Sequence, residues 1–170
     1  SAQTLASFLK AHDSHKKLDE GAFNLGLAHM ELSQWDQAIG SFDQVAAASP
    51  IRDRALYQSA WSKRSAGQHA ESIPFYKELL DKHPRSQLVN NAALELAEVE
   101  FENGGPQGGT AAVERLEKLL DRKIDPQLRQ LTLYRLGIVQ FDLKAYGDSA
   151  KAFEELLKDA PKNLKVSAAW

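Results

Sequence analysis

The stretch GAFNLGLAHMELSQWDQAIGSFDQVAAASP, residues 21–50, decides how the chain is read. Phe23, Leu27 and Met30 follow one another at helical spacing, and so do Trp35, Ala38 and Phe42 further on. Gly26 is small where the first helix would meet the second, and Phe42 is large enough to fill the space that Gly26 leaves. Pro50 ends the unit, because proline lacks an amide proton and disfavours helix at the residue before it. The stretch therefore predicts a pair of packed helices.

The same layout returns along the chain. Prolines at positions 50, 84, 126 and 161 are 34, 42 and 35 residues apart, a period near 34. The copy over 52–84 has Ala60 where Gly26 stood, Gly67 at the inter-helix turn and Tyr76 in place of Phe42. The copy over 127–161 restores Leu133, Leu136-Gly137, Tyr146, Ala150, Phe153 and Pro161. The copy over 87–126 keeps Leu96-Ala97, Ala112, Leu116 and Leu119 but is longer by 8 residues, partly in the run Asn103-Gly104-Gly105-Pro106-Gln107-Gly108-Gly109. We expect that run to be a flexible insertion, with Thr110 capping the next helix. Projected upstream, the register puts residues 1–13 in the second helix of an earlier repeat, followed by a solvated turn at His12–Lys17. Residues 162–170 would open a further repeat. Ser1 and Trp170 thus fall inside helical patterns, as in a piece of a longer protein with Phe8 and Trp170 on terminal helices. Pro74 falls early in a second helix, where it is expected to be tolerated with a slight bend.

These copies resemble the tetratricopeptide repeat family, whose first helix carries a large residue, Leu-Gly and an aromatic, and whose second carries Ala and an aromatic before Pro. The resemblance implies an all-α fold, a right-handed superhelical solenoid of antiparallel helix hairpins with a concave face. Each hairpin buries its apolar face by stacking on its neighbours.

The composition agrees with a packed domain and narrows the chemistry. A 43% hydrophobic, 26% charged chain can bury a core, and its net charge of −2 provides no basic field for nucleic acid. No run approaches the length needed to insert in a membrane. There is no cysteine, hence no disulfide or thiolate chemistry. His12 and His15 have a metal-ligand spacing, but a solvated turn is the better reading. The Gly-rich run lacks the Lys and the preceding strand of a phosphate loop. No nucleophile elbow or zinc-protease motif occurs, so neither a cofactor, a metal nor an enzyme activity is expected. Glu95, Glu98, Glu100 and Glu102 read as a solvated acidic face, unless Glu98 meets Arg64 across adjacent first helices.

In the resembled family, first-helix side chains line the concave surface and make the ligand contacts. The same register implies a groove of Phe23, Leu27, Met30, Tyr57, Trp61, Arg64, Leu94, Glu98, Phe101, Tyr134, Ile138 and Phe141, of which Phe23, Tyr57, Tyr134 and Phe141 read equally as core, while Leu27, Trp61 and Ile138 stand where the family usually has a polar residue. Family members that grip a C-terminal carboxylate carry Lys and Asn where this chain has Phe23, Leu27 and Gln58, so that clamp is absent. The expected function is a protein–protein interaction scaffold that binds a peptide or protein segment in an apolar, aromatic groove; the alternative is self-association through the groove or open ends. Trp61 is the expected central anchor, flanked by Leu27 and Glu98, with no packing duty in its own hairpin. The Leu-Leu-x-x-x-Pro and His83-Pro84-Arg85-Ser86 endings are similar to those of bacterial envelope proteins, which implies a periplasmic or envelope parent, with a cytoplasmic one as the alternative.

Overall fold

A computed structural model describes the backbone over residues 2–159 and side chains over 15–158. The described residues form helices and turns without a strand. The helices are α1 (Ala2–Glu31), α2 (Trp35–Phe42), α3 (Arg52–Ser65), α4 (His69–Lys82), α5 (Val89–Asn103), α6 (Gly105–Leu120), α7 (Pro126–Asp142) and α8 (Tyr146–Asp159). They fall into two compact units, residues 1–88 and 89–170, each built of two helix hairpins.

Three of the four hairpin turns are made the same way. Ser33, Gly67 and Lys144 have φ of 56°, 76° and 62°, in the left-handed region. In each turn that residue's N–H bonds to the carbonyl three residues back, and the next N–H bonds five back: Ser33 to Met30 and Gln34 to His29, Gly67 to Arg64 and Gln68 to Lys63, Lys144 to Phe141 and Ala145 to Gln140. The pair of bonds satisfies carbonyls that the helix end would otherwise leave open, and the reversal sends the next helix back antiparallel.

Small-against-large packing then closes each hairpin. A Cβ built on Gly26 would lie 2.3 Å from the Phe42 ring, and one on Gly137 2.7 Å from the Phe153 ring. In the first unit Phe23, Ala38, Phe42, Val45 and Ala55 form a buried cluster, with Leu27, Met30 and Ile51 packed against it. Ala60 and Tyr76 are likewise fully buried, as are Ala97 and Leu116 in the second unit. Ser149 adds a polar tie, its hydroxyl donating to the Gly137 carbonyl across the α7–α8 hairpin at 2.8 Å.

Several local expectations are corrected. The turn expected at His12–Lys17 is part of α1, which runs unbroken; no proline or glycine lies between Ala2 and Glu20 to stop it. The side chains of Phe8 and His12, and all of residues 160–170 with Pro161 and Trp170, lie outside the described residues. The helix α2 stops at Phe42, well before Pro50. The segment after it is tied down instead by Asp19, which accepts the Ala46 N–H at 3.0 Å, and by Arg52, which donates to the Phe42 and Val45 carbonyls at 3.3 and 3.1 Å. Pro126 opens α7 rather than ending α6, with Asp125 as its cap, accepting the Leu128 N–H at 2.9 Å. Pro74 sits inside α4, as expected.

The Gly-rich run is the largest correction, because it is helix rather than a flexible insertion. Gly105 begins α6 and Thr110 lies within it, its hydroxyl donating back to the Pro106 carbonyl at 3.1 Å, so it caps nothing. A Cβ on Gly108 would collide with the Glu100 carbonyl, and one on Gly104 would lie 2.7 Å from the same oxygen. These two glycines let the start of α6 lie directly on the end of α5.

Candidate interaction surfaces

The twelve side chains read from the repeat register divide evenly between the units and do not share one environment. In the first unit Phe23 is a core residue, 3% exposed, and so is corrected from the groove; its ring lies 5.5 Å from that of Phe42. Leu27 and Met30 are half-buried against the same core. Tyr57 is half-buried, edge-on to Tyr76 at 5.9 Å, and Arg64 is half-buried. Trp61 is 43% exposed, but it has a packing partner: its ring meets that of Trp35, at the start of α2, at 5.8 Å and 69°. The expectation is of no packing duty within its own hairpin, and the ring it meets belongs to the preceding hairpin.

In the second unit Leu94 is 5% exposed and belongs to the core, again a correction. Both Phe23 and Leu94 were placed by register alone, and a first helix flanked by two others turns more than one apolar face inward. Tyr134, Ile138 and Phe141, at 44%, 38% and 60% exposure, stand on one face of α7 at spacings of four and three. Leu131, three residues before Tyr134, extends that stripe, and Tyr146 meets Phe141 edge-on at 5.3 Å. Beside the stripe, between α5 and α7, is a pocket of about 90 Å³ whose walls include Phe101 and Ile138. Glu98 and Arg135 face each other on the pocket wall, Oε1 to Nε 2.6 Å. Three of the predicted residues, Glu98, Phe101 and Ile138, are thus brought together. The acidic face is only partly solvated: Glu98 is tied to Arg135, and Glu100 is buried and held by Arg115.

With this arrangement in view, comparison with known proteins is decisive for the family: the tetratricopeptide repeat model matches residues 23–87 and 94–163. The chain belongs to the tetratricopeptide repeat family. A search of the curated proteins returns no match. Tetratricopeptide repeats serve generally as protein-interaction modules rather than as catalysts. Among the described residues no three metal-ligating side chains converge, and no helix is long and apolar enough to cross a membrane.

A second surface of this tetratricopeptide array was missed by the repeat register. In the first unit a cavity of about 340 Å³ opens between Pro50, the first turns of α3 and the segment Gln87-Leu88. Arg54 and Gln58 enter it from α3, one turn apart. The register assigned neither to the groove, because Arg54 and Gln58 fall outside the first-helix positions carried over from repeat to repeat. The 3–4–3 spacing of Leu131, Tyr134, Ile138 and Phe141, by contrast, was a readable signal for the α7 stripe.

Proposed function

We propose that the chain is a scaffold that docks an apolar-faced segment of another protein on the exposed α7 stripe and the pocket beside it. The observation that carries this reading is the run of Tyr134, Ile138 and Phe141 on one helix face in water, next to a pocket that Ile138 itself helps to line. A contiguous apolar patch of this kind marks an interaction site more often than a bare surface. Aromatic side chains give such a site large contact area at small entropic cost, and a flanking Arg135–Glu98 pair supplies a polar rim.

The test is titration with peptides selected against the chain from a random library. Ile138→Glu places a charge in the stripe and is expected to abolish binding, and Phe141→Ala to weaken it by about 2 kcal/mol. The melting temperature of Phe141→Ala should stay near that of the parent, since that ring is 60% exposed, whereas Ile138, at 38%, is expected to lower it modestly when changed to Glu. Undiminished binding by both variants would overturn the reading. So would a dimer of the free chain, seen by sedimentation, that Ile138→Glu dissociates, since that would give the stripe to self-association.

A further inference from the structure

We infer that the segment after α2 is a conformational switch, which exchanges between the observed turns over residues 43–49 and a continuation of α2 to Ala48, with the Asp19 carboxylate setting the balance. The residues that leave the helix have no reason of their own to do so. Asp43-Gln44-Val45-Ala46-Ala47-Ala48 contains neither proline nor glycine, and alanine is the strongest helix former. The first residue barred from the helix is Ser49, which Pro50 steers towards extended backbone. Phe42, Val45 and Ser49 are buried, whereas Asp43, Gln44, Ala46, Ala47 and Ala48 are exposed. Spacings of three and four belong to one helix face, so a longer α2 would bury the same side chains that the turns bury.

The bonds that hold the turns occupy the groups the helix would use. In a continued α2 the Ala46 N–H would bond to the Phe42 carbonyl, and the Ser49 N–H to that of Val45. Instead the Ala46 N–H donates to Asp19 Oδ1 at 3.0 Å, while Arg52 Nη1 donates to the Phe42 and Val45 carbonyls at 3.3 and 3.1 Å. The Ser49 N–H turns to the Ala46 carbonyl, three residues back, at 2.9 Å. A carbonyl has two lone pairs and can accept from Arg52 and from an amide together, but the Ala46 N–H cannot serve Asp19 and Phe42 at once. The exclusive choice is therefore made at Ala46, and Asp19 makes it with a charge-assisted bond. Asp19 stands on α1 and the segment leads from α2 to α3, so one carboxylate on the first helix governs the connection between two hairpins.

Residue-resolved NMR of the whole chain carrying Asp19→Ala tests this. The 13Cα shifts of residues 44–48 are expected to move to helical values, and amide exchange at Ala46, Ala47 and Ala48 to slow by about tenfold or more. Asp19→Asn keeps an acceptor oxygen without the charge and is expected to fall between the parent and Asp19→Ala. Adding Ala47→Gly to Asp19→Ala weakens the helix and spares the bonds of the turns, so it is expected to remove about fivefold of the added protection. Unchanged shifts in Asp19→Ala would overturn the switch. So would random-coil shifts with faster exchange, since Asp19 would then only tether the segment. Protection that Ala47→Gly leaves undiminished would overturn it too, because the gain would not come from a helix.

Discussion

Arg115 meets both carboxylate oxygens of Glu100 at once, through Nε at 2.9 Å and an Nη at 3.1 Å, and so ties the middle of α6 to the end of α5. The backbone of Glu100 is held as closely, since its carbonyl lies against Gly104 and Gly108 at the start of α6. One residue therefore fixes the third hairpin at two points, with its side chain and with its main chain.

Removing that carboxylate strands a guanidinium whose side chain is only 26% exposed. Glu100→Ala is expected to destabilise the protein by about 2–3 kcal/mol, toward the lower range for breaking a buried pair because Arg115 reaches some solvent. Urea denaturation of both single variants and the double variant measures the coupling. A coupling energy indistinguishable from zero would show that the two bonds contribute nothing to stability.

The glycines separate into two kinds. Gly108→Ala forces a Cβ into the Glu100 carbonyl and is expected to cost about 1–3 kcal/mol. Gly40 in α2 and Gly147 in α8 have open space where a Cβ would go, so alanine there should stabilise by up to about 1 kcal/mol through helix propensity. Chemical denaturation that ranked the three variants otherwise would contradict the packing described for α5 and α6.

The hairpin turns give a paired prediction of opposite sign. Ser33 and Lys144 hold the left-handed conformation that Gly67 adopts without strain, at a cost of about 1 kcal/mol each. Ser33→Gly and Lys144→Gly are expected to recover part of that cost, and Gly67→Ala to lose about 1 kcal/mol. Thermal melts check all three, and a destabilising Lys144→Gly would refute the turn geometry.

Much of this architecture was legible because the repeat writes each helix pair in the same residues. Gly26 with Phe42 and Gly137 with Phe153 are pairs whose sizes alone announce a close approach. The Gly-rich run was misread because glycine signals both flexibility and close contact, and only the Glu100 carbonyl lying over Gly108 decides between them. The register likewise could not separate core from surface at Phe23 and Leu94, since both faces of a first helix are apolar. Arg54 and its cavity were out of reach, because Gln87 joins them from a distant loop and no periodicity links the two.

Asp19 supplies a pH-dependent term in the first unit. The Ala46 N–H, donating to Asp19 at 3.0 Å, holds its carboxyl below the usual value of 3.8. A folded-state pKa below the unfolded one contributes stability that is present above about pH 4 and is lost as the pH falls through the folded value. The parent protein is therefore expected to lose more stability on acidification than Asp19→Asn, the two converging at low pH. Denaturant midpoints across pH 2–7, about the range in which carboxylates titrate, measure the difference. A gap that stays constant with pH would show that Asp19 acts through geometry alone.

The remaining prediction concerns Trp61, where stability and binding can be told apart. Its ring is edge-on to Trp35, an arrangement typically worth about 0.5–1.5 kcal/mol beyond the area buried. It nevertheless keeps 43% of its surface in water, so its truncation removes much less buried area than that of a core aromatic. Trp61→Ala is accordingly expected to destabilise by about 1–2 kcal/mol, below the range of about 3–5 kcal/mol for a fully buried ring. The double variant with Trp35→Ala should be less unstable than the two single losses added, because each loss removes the same contact. If the exposed half of the ring also receives a partner, Trp61→Phe should keep most of the stability and still weaken peptide binding. A loss of stability equal to that of a buried ring would assign Trp61 to the core and end its candidacy as an anchor.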